Sequence, residues 1–171
     1  MCGRYYVDVS NDDLSFLSNY GEIEYEQNFN VAPQTKAPCI IDNNLVIANW
    51  GYFPDWLKKQ SNPRPLFNTR YESLLEKKTF TSAFSNSRCL IPISGWYEWR
   101  DEEGVKQPYF FFSNSQKILF AAGLFWNRSS GDIETSIITR EAVTGLQSIH
   151  SRSPLLFTAK QKDFWISEAS S

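Results

Sequence analysis

The sequence predicts an α+β fold: a single domain over residues 1–171, built on a curved, partly closed antiparallel β-sheet with a few short helices. Three observations carry this expectation. Short runs of β-branched and aromatic residues recur along the chain, turn-forming residues separate them, and the gaps are too short for the crossover helices of parallel βαβ units. A length of 171 residues suits one domain. No repeat, low-complexity tract or charge block divides it, and the richest turn segment, Gln60 to Pro65, is too short to act as a linker.

Strands are expected at Arg4 to Val9, Asn28 to Val31, Leu45 to Tyr52, Arg88 to Ile93, Trp96 to Arg100, Tyr109 to Phe112, Ile118 to Phe125 and Thr135 to Thr139. Between them, Asp42-Asn43-Asn44, Glu103-Gly104, Ser113-Asn114-Ser115 and Ser130-Gly131-Asp132 mark hairpin turns. A first helix is expected over Asp12 to Tyr20, capped by Ser10 or Asn11, with Leu14, Phe16 and Leu17 on its apolar side. A second covers Tyr71 to Lys78, where Leu74 and Leu75 adjoin and the lysines suit the helix end. A third, Ala159 to Ser167, is expected to turn Phe164 and Trp165 inward. So many short strands must hide their edges, which predicts partial closure.

With 42% hydrophobic residues, 6 Trp, 8 Tyr and 13 Phe, the chain is too apolar to stay disordered. Its formal charge of -2 excludes a polycation that binds nucleic acid through bulk charge, and leaves room for a local basic cleft. No apolar run approaches the roughly 18 residues of a membrane span, and the start MCGRYYVDVS lacks a signal peptide's apolar core. A soluble, cytoplasmic protein is therefore expected. Cysteines at 2, 39 and 89 form neither a metal-binding CxxC nor a disulfide framework, and Cys39 and Cys89 read as buried, inert thiols. A single histidine excludes a metal site built from several, so no metal or cofactor is expected.

Cys2 stands apart because removal of Met1 would expose an α-amine beside a thiol. With reference pKa values near 7.7 to 8.0 and 8.5, both nucleophiles are partly available at neutral pH. An aldehyde is their natural target: the amine condenses to a Schiff base and the sulfur closes a thiazolidine. The same dipeptide also fits a start residue followed by a small one. Glu98, in Gly95-Trp96-Tyr97-Glu98-Trp99-Arg100, is a carboxylate among aromatics, suited to general acid/base work if desolvated, or an exposed strand residue paired with a cation. Period-two alternation puts Trp96, Glu98 and Arg100 on one face, Tyr97 and Trp99 on the other. His150 lies in a turn-like string with Arg152 two residues on, a spacing that suits a phosphate. Asn68 precedes Arg70 in the same way, or serves as an N-cap. Trp50 and Trp56, in a run interrupted by Gly51 and Pro54, are candidates to stack on a nucleobase.

The order of these motifs resembles the SRAP family, the SOS-response-associated peptidase domain proteins that act on abasic sites in single-stranded DNA. The resemblance runs from MCGRY through Asn30-Val31-Ala32-Pro33, Trp50-Gly51 with Pro54 and Trp56, Asn68-Thr69-Arg70 with Glu72, and Arg88-Cys89-Leu90-Ile91-Pro92 into Gly95 to Trp99. It continues through Gln107-Pro108-Tyr109, Ala122-Gly123-Leu124-Phe125, Ile137-Ile138-Thr139 and Ile149 to Pro154. It implies a catalytic Cys2 that bonds a ring-opened deoxyribose aldehyde, Glu98 as acid/base, His150 assisting ring opening and proton transfer, and Asn68 orienting the Cys2 end and the sugar. Arg4, Arg70 and Arg152 match positions near the DNA backbone, with Trp50, Trp56 and Trp99 as further DNA contacts.

The implied partner is single-stranded DNA containing abasic sites, with no membrane, bound by a monomer that is nucleoid-associated in a prokaryotic or phage setting. The family is also associated with release of its own initiator Met. Two departures stand out. Ser151 and Ser153 replace an acidic residue and a Met in the histidine motif, and the part after about residue 157 is shortened. Two other readings compete: a class II glutamine amidotransferase-like hydrolase, which shares a mature N-terminal Cys, and a non-catalytic single-stranded-DNA-binding module.

Overall fold

Strands that close on themselves form the centre of the structure, a computed structural model that describes residues 2–8 and 17–167. The ring runs through β3 (Lys36–Ile41), β4 (Asn44–Trp50), β10 (Ile133–Glu141), β9 (Leu119–Asn127) and β6 (Arg88–Ile93), then back to β3. Partial closure covers most of the edges of those strands, as the many short strands required. Short strands extend the ring: β5 (Asn68–Arg70) and β11 (Arg152–Pro154) lie on β10, and β12 (Leu156–Phe157) lies on β9. Against it stands a four-stranded antiparallel sheet, β2 (Asn28–Val31), β1 (Arg4–Val7), β7 (Gly95–Glu102) and β8 (Val105–Phe112).

The turns follow local chemistry. Asp42 and Asn43 adopt φ of 48° and 58°, and Glu103 and Gly104 adopt 55° and 85°, the paired positive values that match a hairpin's twist. Two features differ from the sequence expectation. The pairings of β10 with β4 and β5 are parallel, reached across long stretches of chain rather than by a βαβ unit. Strand β3 carries Pro38, which argues against a strand, yet its second edge is nearly unpaired, meeting β6 only at Ile40↔Leu90.

The helices depart further. Tyr71 to Lys78 is not one helix: Tyr71–Ser73 is a 3-10 turn, and the regular helix is α2 (Lys78–Asn86). Its stripe of Phe80, Ala83 and Phe84 has helical spacing and packs on the ring, whereas Leu75 is left exposed. A short α1 (Asp55–Lys58) carries Trp56. In α3 (Lys162–Ser167) Trp165 turns inward and donates to the Cys89 carbonyl, but Phe164 points out. The helix expected over Asp12 to Tyr20 lies mostly outside the described residues, with 17–20 forming a 3-10 turn.

Alternation divides the interior into two cores. Cys39, Cys89, Ile91 and Ile137 face one cluster together with Cys2, Tyr5, Trp50 and Trp96. Ile40, Leu90 and Ile138 face the other, covered by Phe80, Ala83 and Trp165. Both faces of these strands are buried, so they read as continuous apolar runs. Gly123 sits opposite Cys89, and a Cβ there would lie 2.8 Å from the Cys89 sulfur and 3.0 Å from Ile91 Cδ1. Gly123→Ala should therefore destabilise the protein by about 1–3 kcal/mol through overpacking. Urea unfolding checks this, and adding Cys89→Ala should recover part of the loss; an unaffected midpoint in the single variant would contradict the packing.

Candidate active site

The start of the chain is held by strand register. Pairing of β1 with β7 sets Arg4 against Tyr97, Tyr5 against Trp96 and Tyr6 against Gly95, and so fixes Cys2 just before the strand. Cys2 is fully buried. Parallel pairing of β5 with β10 places Asn68 opposite Ile137, and its side-chain amide donates to the Cys2 carbonyl at 2.7 Å. The Asn68 Oδ1 is buried and has no hydrogen-bond partner among the described residues. One end of the amide thus orients Cys2, and the other can meet a donor on a ligand.

Glu98 projects from β7 on the same face as Trp96 and is 2% exposed. Burial pushes its carboxyl above the ordinary carboxylate range, with the nearby His150 pulling the other way. The Cys2 thiol is pushed well up by its own burial and then by the Glu98 charge. His150 Nδ1 lies 4.0 Å from Glu98 Oε2. The same Nδ1 lies 2.9 Å from the Arg152 backbone nitrogen and 3.1 Å from the Arg152 carbonyl oxygen. Main chain, rather than an acidic side chain at position 151, orients the imidazole.

The structure brings Cys2, Asn68, Glu98 and His150 together. The arginines divide. Arg152 is bound bidentately by Glu72 at 2.9 Å on each arm, and donates to the Thr139 carbonyl at 2.6 Å. Its guanidinium acts as a clamp joining the histidine loop to the 3-10 turn, not as an open phosphate site. Arg4 donates to the Asn30 side-chain oxygen at 2.9 Å, and Arg70 is exposed. Of the tryptophans, Trp50 requires correction: it is 1% exposed, its indole donates to the Phe67 carbonyl, and it packs edge-on against Tyr5. It is a core residue, closed to a nucleobase. Trp56 is exposed on α1, and Trp99 is exposed on the face of β7 away from Glu98. Thr139 and the clamping role of Glu72 were missed, because a contact 80 residues apart leaves no periodic signal in one sequence. Among the described residues no group of three or more His, Cys, Asp or Glu side chains converges to hold a metal.

Comparisons with known proteins give the family. A sequence profile of the SOS response associated peptidase family, SRAP, matches residues 1–171. The chain belongs to the SRAP family. Among SRAP relatives, the abasic site processing protein YoqW of Bacillus subtilis is 31% identical over 179 residues, covering 97% of this chain and 80% of that protein. The abasic site processing protein YedK of Escherichia coli is 31% identical over 180 residues, covering 97% and 79%. A crystal structure of a Bacteroides thetaiotaomicron protein superposes with a TM-score of 0.80 at 22% identity, covering 98% of this chain and 82% of that one. That likeness establishes the shared fold.

Burial of Glu98 has a testable thermodynamic sign. An unfolded Glu releases its proton near pH 4.3, while the folded chain holds it to higher pH. Stability contributed here falls as pH rises through that window, because the folded state binds more protons than the unfolded one. Glu98→Gln should gain Tm relative to wild type between pH 4 and pH 8. Parallel Tm curves for the two proteins would contradict a desolvated Glu98.

Proposed function

We propose that this protein forms a covalent crosslink with abasic sites in single-stranded DNA through Cys2, after Met1 is removed. The observation that carries the reading is the meeting of Cys2, Asn68, Glu98 and His150 from four distant parts of the chain. The names of the SRAP relatives, abasic site processing proteins, supply the substrate class.

An abasic deoxyribose exists mainly as a closed ring hemiacetal and reacts as its open aldehyde. His150 and Glu98 stand where a proton can be moved between ring oxygen and solvent to open it. The thiol is held neutral by burial and by Glu98, so the α-amine attacks first. Nitrogen bonds to the aldehyde carbon, water leaves, and an imine results. Addition of the Cys2 S–H across the C=N bond then places sulfur on carbon and the proton on nitrogen, giving a thiazolidine. Glu98 can relay that proton, since burial raises its carboxyl above the ordinary carboxylate range. While Met1 remains, the Cys2 nitrogen is a peptide amide and cannot begin the sequence. Removal of Met1, by the chain itself or by an aminopeptidase, is the activating step.

DNA is gripped locally, since a net charge of -2 gives no bulk attraction. Arg4 and Arg70 are the phosphate contacts, Trp56 offers an exposed ring for a base, and Arg152 acts through His150 as a positioning residue.

Cys2→Ala keeps the amine after Met1 removal but lacks sulfur. It should still give a Schiff base trapped by borohydride while losing the untreated, heat-stable adduct, as read on denaturing gels with abasic oligonucleotides. A heat-stable band at wild-type yield would refute the thiazolidine. Affinity for undamaged single strands should fall with salt at a slope of about -0.7 per phosphate contact. Arg70→Ala should reduce that slope by about one contact, whereas Arg152→Ala should chiefly slow crosslinking by releasing the histidine loop. A slope unchanged by Arg70→Ala would remove Arg70 from the interface.

A further inference from the structure

Beside the Glu98 and His150 pair lies a cavity of about 290 Å³, lined by Trp96, Leu146, Pro154 and Leu156 with Arg140 and Ser153. Its walls are close neighbours of the reactive groups. Trp96 stands two positions before Glu98 on the same face of β7, Leu146 accepts from the His150 backbone N–H at 3.0 Å, and Ser153 follows Arg152. Two residues along a strand span about 6.6 Å. The cavity wall at Trp96 thus stands one such step from Glu98.

The charged and N–H groups on this lining are donors. Trp96 is 6% exposed, and its buried indole N–H has no acceptor among the described residues. Arg140 is exposed on β10, in register with Ser153, and reaches only the Glu141 carbonyl, at 3.4 Å, with no carboxylate partner among the described residues. Ser153 can donate or accept. Apolar walls with donors at the edge disfavour a phosphate, whose charge would lie against hydrocarbon, and suit a flat ring bearing acceptors. A buried N–H without an acceptor is itself a vacancy for one.

We propose that this cavity is a subsite for the nucleobase next to the abasic sugar, and that it selects guanine over adenine. The two bases are close in size and differ at the edge. Guanine offers O6 and N7 acceptors that a guanidinium holds bidentately, whereas adenine sets an N6 donor against donors. The inference rests on the crosslinking function and adds to it the identity of the flanking base.

The test uses mature protein and abasic single-stranded oligonucleotides that differ only in the flanking base, guanine or adenine, on each side of the lesion. Crosslinking rate is measured at low DNA concentration, and affinity is measured separately with Cys2→Ala, which forms no stable adduct. Guanine should win by about fivefold or more on one side, the lower range of a bidentate base contact. The preference should vanish in Arg140→Gln, an exposed position whose loss spares the fold, and shrink in Trp96→Phe, which keeps a ring without the N–H. Equal rates and affinities for the two bases in wild type would overturn the subsite. So would a preference that survives Arg140→Gln unchanged. Absence of any adduct would sink the crosslinking function instead, and the affinity arm would still decide the subsite: guanine preference there upholds it, equality overturns it.

Discussion

Everything in the site depends on anchoring Cys2, ahead of β1, inside a folded core. Chain ends ordinarily fray, because few contacts offset their backbone entropy. Here β1 is paired on both sides, with β2 and with β7, and Cys2 lies two residues before its first paired position. At about 3.3–3.6 Å per residue that tether leaves Cys2 little room to wander. The Asn68 amide removes what freedom remains by taking the Cys2 carbonyl. Strand β5, carried on the ring, brings Asn68 to that residue, and β7, in the sheet that stands against the ring, brings Glu98.

Holding the terminus so deep determines its chemistry. Burial that anchors Cys2 also suppresses its thiolate, and a carboxyl pushed up by the same burial stands beside it. Both effects disfavour charge. In the proposed crosslinking, a site poised this way starts from a neutral thiol, so the amine leads and sulfur follows. On that proposal the order of bond formation follows from desolvation.

Much of the architecture was legible because strand signals are local. Runs such as Arg88 to Ile93 and turns such as Glu103-Gly104 declare themselves within a few residues. Strand β3 did not, since Pro38 is a local signal overruled by its place in the sheet, and the helix at Lys78–Asn86 was displaced because Leu74 and Leu75 outweighed the Phe80, Ala83 and Phe84 stripe. Of the site, Cys2, Asn68, Glu98 and His150 were legible only as a set, through motif order. Trp50 misled because Gly51 and Pro54 look like loop signals, yet its indole finds the Phe67 carbonyl, which no local pattern could announce.

The clearest instance of tertiary context overriding residue type is Arg152. By spacing it was a phosphate ligand, and by structure its charge is matched on both arms by Glu72. Glu72 is itself half exposed, so the surface beside Arg152 presents a carboxylate. Arg100 is likewise held by Glu102 and Arg128 by Glu134. Once these pairs are set aside, Arg4, Arg70 and Arg140 have no carboxylate partner among the described residues, and Arg140 lines the cavity beside the reactive groups. An anionic strand approaching a protein of net charge -2 follows unpaired cations rather than arginine count. In the proposed DNA complex Arg4 and Arg70 are cations open to phosphate, while Arg152 stays with Glu72 and the histidine loop.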